Sequence, residues 1–189
     1  MLKSEARKIY RQKRNSLSDT ERVKQDDLML IQFQTLQFPF LEYLLSYWPM
    51  KENKEVNTHL FTEYLKFKNP GLRVLYPKTD FEKVELNALL TNDKTVFKQN
   101  QYNIYEPGDG DTIAASEIDF IIVPMLICDS NGQRAGYGRG FYDRYLKNCR
   151  EDCIKAGLSY FEPVDKIDDT NQFDVPLNLC ITPQNVYVF

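Results

Sequence analysis

The sequence predicts an α/β protein of three layers, helices on either side of a mainly parallel central sheet, entered through an N-terminal helical hairpin. Three observations carry this prediction. Short β-branched or aromatic runs recur and are each cut by proline, as in Leu72 to Tyr76 before Pro77 and Phe120 to Val123 before Pro124. Segments of helical spacing lie between these runs, the order expected of strands buried on both faces. The opening residues 3–16 contain neither proline nor glycine. At 189 residues the chain is expected to form one domain, residues 1–189.

Taken in order, Leu2, Ala6 and Ile9 recur at the spacing of one helix face and predict a first helix over 3–16. Ser18 followed by Glu21 has the form of a capping box, so a second helix runs towards Thr35 with Val23, Leu28 and Ile31 on its buried side. Pro39 ends that hairpin. Leu41 to Trp48, stopped by Pro49, reads as a buried strand, and Thr58 to Phe67 as a helix through Leu60, Phe61, Tyr64 and Leu65. Two strands follow at the proline-stopped runs. Between them residues 81–106 alternate loosely and supply edge strands or a hairpin. After the turn Asp129-Ser130-Asn131-Gly132 come a glycine-rich loop, a helix from Phe141 to Lys147, and strands at Ile154 to Leu158 and Leu179 to Ile181. Ligands of such a sheet sit at the carboxyl ends of its strands.

Composition excludes several classes. With 42% hydrophobic and 27% charged residues the chain is an ordinary globular protein. The first residues become charged before any apolar run develops, and no run could cross a bilayer, so a cytoplasmic protein without membrane partners is expected. Its four cysteines read as free thiols. A net charge of −3 gives no bulk attraction to nucleic acid, so any anion site must be a local cluster.

That cluster is legible at Arg134-Ala135-Gly136-Tyr137-Gly138-Arg139-Gly140-Phe141-Tyr142-Asp143-Arg144. Glycines at alternate positions before a helix let backbone N–H groups approach an anion, and Arg134 and Arg139 add full charges. The same glycines would also suit a tight strand-to-helix connection. Asp143 is either a helix-start carboxylate or a Mg²⁺ ligand beside bound phosphates. In the first helix Lys3, Arg7, Tyr10 and Arg14 fall in a stripe about 60° wide beside the apolar one. Such a stripe is either solvated surface or the wall of a cleft.

The run Gly132 to Arg144 resembles the signature of the 5-formyltetrahydrofolate cyclo-ligase family. Lys3-Ser4-Glu5-Ala6-Arg7 with Arg14, Glu55-Val56-Asn57-Thr58, Tyr76-Pro77-Lys78 and Phe173-Asp174-Val175-Pro176 resemble its other landmarks, in the same order. The resemblance implies a fold related to sugar-phosphate isomerases and CoA transferases. It implies ATP contacts at Lys3, Arg7, Arg134, Gly136, Tyr137, Gly138, Arg139, Gly140, Phe141 and Tyr142, and Mg²⁺ at Asp143 and Asp174. Met50, Glu55, Tyr137 and Phe141 would then touch the folate, with Arg134, Arg139 and Tyr142 as catalytic candidates and Arg14 and Lys78 as further phosphate partners. The family usually carries His where Phe173 stands.

The implied activity is conversion of 5-formyltetrahydrofolate and ATP to 5,10-methenyltetrahydrofolate, ADP and phosphate by a monomer whose partners are small molecules. Two other readings stay open. One is an isomerase or transferase on a related fold, because fold does not decide function. The other is a nucleotide- or folate-binding protein without turnover.

Overall fold

The computed structural model describes residues 1–189. Its centre is an eight-stranded sheet in the order β12-β11-β10-β7-β1-β2-β3-β6. In chain order these strands are β1 (Tyr43–Leu45), β2 (Arg73–Asp80), β3 (Glu85–Leu90), β6 (Thr112–Ile113), β7 (Phe120–Val123), β10 (Ile154–Leu158), β11 (Leu179–Ile181) and β12 (Val186–Val188). The run from β11 to β2 is parallel, and β12, β3 and β6 pair antiparallel at its two margins. Two small ribbons stand apart, β4 (Phe97–Gln99) with β5 (Tyr105–Pro107) and β8 (Ile127–Cys128) with β9 (Arg134–Ala135). No helix is long and apolar enough to cross a membrane.

Side-chain alternation builds the layers, because successive strand residues point to opposite faces. Leu44, Phe120, Ile122, Ala156, Leu158, Leu179 and Ile181 face one core with helices α2 (Asp19–Gln34) and α3 (Thr58–Lys68). Leu45, Ile121, Val123 and Cys180 face the other with Tyr145 and Leu146 of helix α4 (Phe141–Leu146). Helix α1 (Lys3–Ser16) packs Ala6 and Tyr10 against Ile127 and Ala135 of the β8–β9 ribbon.

Strands at 120–123, 154–158 and 179–181 fall where the sequence places them. Ser18 caps α2 as its spacing predicts: its hydroxyl accepts from the Glu21 amide at 3.2 Å, and the Glu21 carboxylate accepts from the Ser18 amide at 2.8 Å.

Other elements depart from the sequence reading. The expected strand 41–48 is ordered as a strand only over Tyr43–Leu45. Conversely β2 does not stop before Pro77 but runs on to Asp80, with Pro77 opposite Ala88 of β3. The proline is tolerated because β1 pairs β2 only as far as Leu75, so beyond that residue β2 is an edge on that side.

Both N-terminal helices bury a stripe rotated from the aliphatic one, which in α1 keeps only Ala6 in common with it. In α1 the buried residues are Lys3, Ala6, Tyr10 and Arg14, while Leu2 and Ile9 are exposed. The polar stripe is the packed face. In α2 Val23 and Ile31 are exposed and Asp26, Met29 and Phe33 are buried, because the Asp26 carboxylate has a partner inside, the Tyr160 hydroxyl at 2.9 Å.

Candidate active site

A cavity of about 450 Å³ opens where residues just past the carboxyl ends of β1 (Tyr47, Trp48) and β7 (Pro124) meet α1, β2 and the glycine loop. The sheet grows from β1 in opposite directions, to β2 on one side and to β7 on the other. A crevice at such a reversal is where open α/β sheets bind ligands.

One end of the cavity is charged. Lys3 Nζ lies 2.5 Å from Asp174 Oδ2, and Arg134 Nη2 lies 2.8 Å from Asp143 Oδ1. Arg134 also donates to the Val175 carbonyl, and the Val175 amide donates to Asp143 Oδ1 at 3.2 Å, which brings the two carboxylates to one corner. Burial lowers the Arg134 guanidinium from its ordinary pKa, and the Asp143 charge opposes that shift. The hydrogen bonds of Asp143 all fall on Oδ1 and those of Asp174 all fall on Oδ2. Each carboxylate therefore keeps one oxygen free of hydrogen bonds, and two such groups beside Lys3 and Arg134 fit the donor set of Mg²⁺, which takes its remaining ligands from phosphate and water.

The glycine loop separates β9 from α4. Gly138 has φ +89° and Gly140 φ +75°, both in the region that disfavours side chains. A Cβ on Gly138 would come 3.3 Å from Arg7 Cζ, and Arg7 Nε donates to the Gly136 carbonyl at 2.9 Å. Gly136 differs, for it lacks the positive φ and a Cβ there would meet only the Pro124 carbonyl at 3.7 Å. Helix α4 spans six residues, so side-chain cations rather than a long helix dipole set the potential here.

Glu55 lines the same cavity. Its Oε2 accepts from the Met50 amide at 2.7 Å, and its Oε1 accepts from the Tyr137 hydroxyl. Burial raises its pKa, and the Met50 and Tyr137 hydrogen bonds and the Arg14 charge act against that rise. The Tyr142 hydroxyl is buried without a hydrogen-bond partner and its pKa is raised by burial.

The aromatic end was not legible in the sequence as part of the site. Trp48 lies 4.6 Å from the Phe97 ring and 5.5 Å from that of Tyr105, so the β4–β5 ribbon folds over the segment that follows β1. Phe81, in the β2–β3 turn, and Tyr102, in the β4–β5 turn, lie 4.0 Å apart, and the Arg139 guanidinium sits over both at 5.2 and 4.4 Å. Period-two alternation shows a ribbon but not where it docks.

All the residues expected to contact ATP, Mg²⁺ or folate line this one cavity, apart from the further phosphate partners Arg14 and Lys78. Lys78 instead donates to the Gly108 carbonyl on the surface, and Arg14 is buried behind Tyr137. Phe173 is 60% exposed, with Lys147 Nζ 4.3 Å from its ring centre, and is not part of the wall. No Ser, Cys or His lines the cavity, so it lacks the usual parts of a covalent nucleophile and base.

Comparison with known proteins gives the family. Residues 2–183 match the model of the 5-formyltetrahydrofolate cyclo-ligase family. The 5-formyltetrahydrofolate cyclo-ligase of Mycoplasma pneumoniae is 29% identical over 188 residues, covering 97% of this chain and 100% of that protein. The Haemophilus influenzae enzyme of the same name is 36% identical over 118 residues, 60% of this chain and 61% of its own. Among solved structures, Aquifex aeolicus 5,10-methenyltetrahydrofolate synthetase superposes with a TM-score of 0.81 at 30% identity, covering 100% of this chain and 93% of that one. The M. pneumoniae synthetase superposes with 0.76 at 26% identity, covering 97% and 99%. With the family model spanning nearly the whole sequence and the fold shared from end to end, the chain belongs to the 5-formyltetrahydrofolate cyclo-ligase family.

Proposed function

We propose that this chain converts 5-formyltetrahydrofolate to 5,10-methenyltetrahydrofolate, with ATP as co-substrate and Mg²⁺ as the metal. The observation that carries the proposal is the cavity itself, in which a corner of cations and paired carboxylates shares its lining with an aromatic wall and with the buried Glu55. The corner suits a triphosphate and the wall a planar pterin.

A formamide oxygen is a poor leaving group, so ring closure requires its activation. In the proposed sequence the formyl oxygen attacks the γ-phosphorus and ADP departs, leaving an iminium phosphate. Nitrogen 10 then adds to the activated carbon and loses its proton as phosphate leaves with the former formyl oxygen. The chain's part is to hold the reactants in line and to neutralise charge on the transferring group. Lys3 and Arg7 would flank the phosphates from α1, Arg134 and Arg139 bracket the glycine loop, and Tyr142 lines the same wall with its hydroxyl buried. Tyr137 and Met50 hydrogen-bond to Glu55, and Phe141 lines the same cavity beside Phe81, on the proposed folate side. Asp143 and Asp174 would hold Mg²⁺, which supplies charge neutralisation at the phosphoryl oxygens.

The test is direct. The protein mixed with 5-formyltetrahydrofolate, ATP and Mg²⁺ is expected to produce the near-ultraviolet absorbance of the methenyl product, with one ADP per turnover. Product without ADP, or no product at all, would overturn the reading.

A further inference from the structure

Arg14 is a buried cation with no direct view of the cavity. It is 4% exposed, and its guanidinium donates to the Met125 carbonyl at 3.4 Å and to the Tyr137 hydroxyl at 2.8 Å. Its Nε has no partner. To reach a bound phosphate it would have to pass the Tyr137 ring, over which its guanidinium carbon lies at 5.7 Å from the centre.

The Tyr137 hydroxyl, having accepted from Arg14, donates to Glu55 Oε1. One phenol thus joins a buried cation to a buried carboxylate. The other groups around Glu55 are Tyr47 from the segment after β1, Tyr142 from α4, and Tyr160, whose hydroxyl lies 3.4 Å from the Glu55 carbonyl. None of these is a cation. Arg14 is the positive group acting on the Glu55 carboxyl.

We infer that Arg14 is a positioning residue for the folate end of the site, acting through Tyr137 to hold Glu55 in place as an ionised, two-oxygen acceptor. The inference rests on the folate assignment above and assigns Arg14 to the folate rather than to the phosphates. The physical reason is that a carboxylate out of water is costly unless hydrogen-bonded and balanced by opposite charge. The Met50 amide and the Tyr137 hydroxyl supply the hydrogen bonds. Arg14 supplies the charge and, by donating to the phenol oxygen, turns the phenol proton towards Glu55.

Two measurements on Arg14→Met and Arg14→Lys test this. The first needs no turnover: the side-chain carboxyl of Glu55 in the unliganded protein is titrated by ¹³C NMR, its signal assigned by Glu55→Gln. Arg14→Met is expected to move the midpoint to higher pH, and Arg14→Lys to restore part of the shift. The second is a pair of calorimetric titrations at neutral pH. Affinity for 5-formyltetrahydrofolate is expected to fall about tenfold or more in Arg14→Met, more steeply as pH is lowered, while affinity for ATP with Mg²⁺ changes less than about twofold. Weakened ATP binding with intact folate binding would make Arg14 a phosphate ligand. An unmoved Glu55 midpoint, or equal losses for both ligands with a lowered melting temperature, would leave it a packing residue. If the parent protein bound no folate while the midpoint still moved, the functional reading would fail and the electrostatic link would stand.

Discussion

Arg134 and Asp143, on opposite sides of the glycine loop, meet at 2.8 Å and clasp it shut. Their side chains are 5% and 28% exposed, so the more buried partner is the cation. Breaking such a pair from the carboxylate side leaves the costlier orphan.

This asymmetry separates two roles for Asp143. Asp143→Asn keeps an oxygen for Arg134 and the Val175 amide but removes the charge that would hold a metal. It is expected to raise the Mg²⁺ concentration needed for half-maximal rate by about tenfold, with much of the rate recovered at high Mg²⁺. Asp143→Leu is expected to lower stability as well, by roughly 2–4 kcal/mol, because Arg134 loses its partner. Thermal melts and Mg²⁺ titrations on both variants check this.

The glycines of the loop are not equivalent. Gly138→Ala forces a side chain into φ +89° and against Arg7, and is expected to weaken ATP binding at least tenfold. Gly136→Ala meets only a carbonyl at 3.7 Å and is expected to change it less than about threefold. Equal losses in calorimetry would show that backbone conformation at 138 is not what the nucleotide requires.

Glu55→Gln preserves shape but presents an amide donor where an acceptor is wanted. Folate affinity is expected to fall by roughly 2–4 kcal/mol, about thirty- to a thousandfold, while ATP affinity changes little. Two dissociation constants on one variant decide it. Matching losses would point to a general disturbance of the cavity.

Asp26 ties the second helix to the far side of the Glu55 segment, accepting from the Tyr160 hydroxyl at 2.9 Å and the Asn57 amide at 3.4 Å. Burial raises its pKa to about 6 against these hydrogen bonds. A raised carboxyl pKa means that the folded state holds the proton to higher pH than the unfolded one. Stability from this group is thus full below about 4 and is lost as pH rises to about 6. Asp26→Asn is expected to be near neutral at pH 4 and to gain about 1–2 kcal/mol above pH 6.5, read from denaturant melts at both pH values.

The strands at 120–123, 154–158 and 179–181 and the glycine loop were legible because their determinants are local, short apolar β-forming runs and closely spaced glycines, whereas Pro77 did not stop β2. What the sequence hid are positions where a polar residue is buried by a distant partner. Asp26 needs Tyr160 and Arg14 needs Tyr137, so an aliphatic stripe misplaced the buried face, in α1 sharing only Ala6 with it. The aromatic wall was missed for a related reason. Tyr102 and Tyr105 join the site only because a ribbon folds back over Trp48 and Phe81, with Phe97 packed on Trp48, a placement that no local pattern encodes.

Lys3 and Asp174 are 171 residues apart in the chain yet touch at the charged corner. At about 5–20 residues per second, a ribosome needs roughly 10–30 s to make the second after the first. Arg7 and Arg14 meet their partners at residues 125–137, but Lys3 must wait for Asp174. The sheet can begin to order through β1, β2 and β7, but the corner where Lys3 meets Asp174 is a late event of synthesis. A nascent chain stalled before Asp174 would carry most of the scaffold without this ion pair.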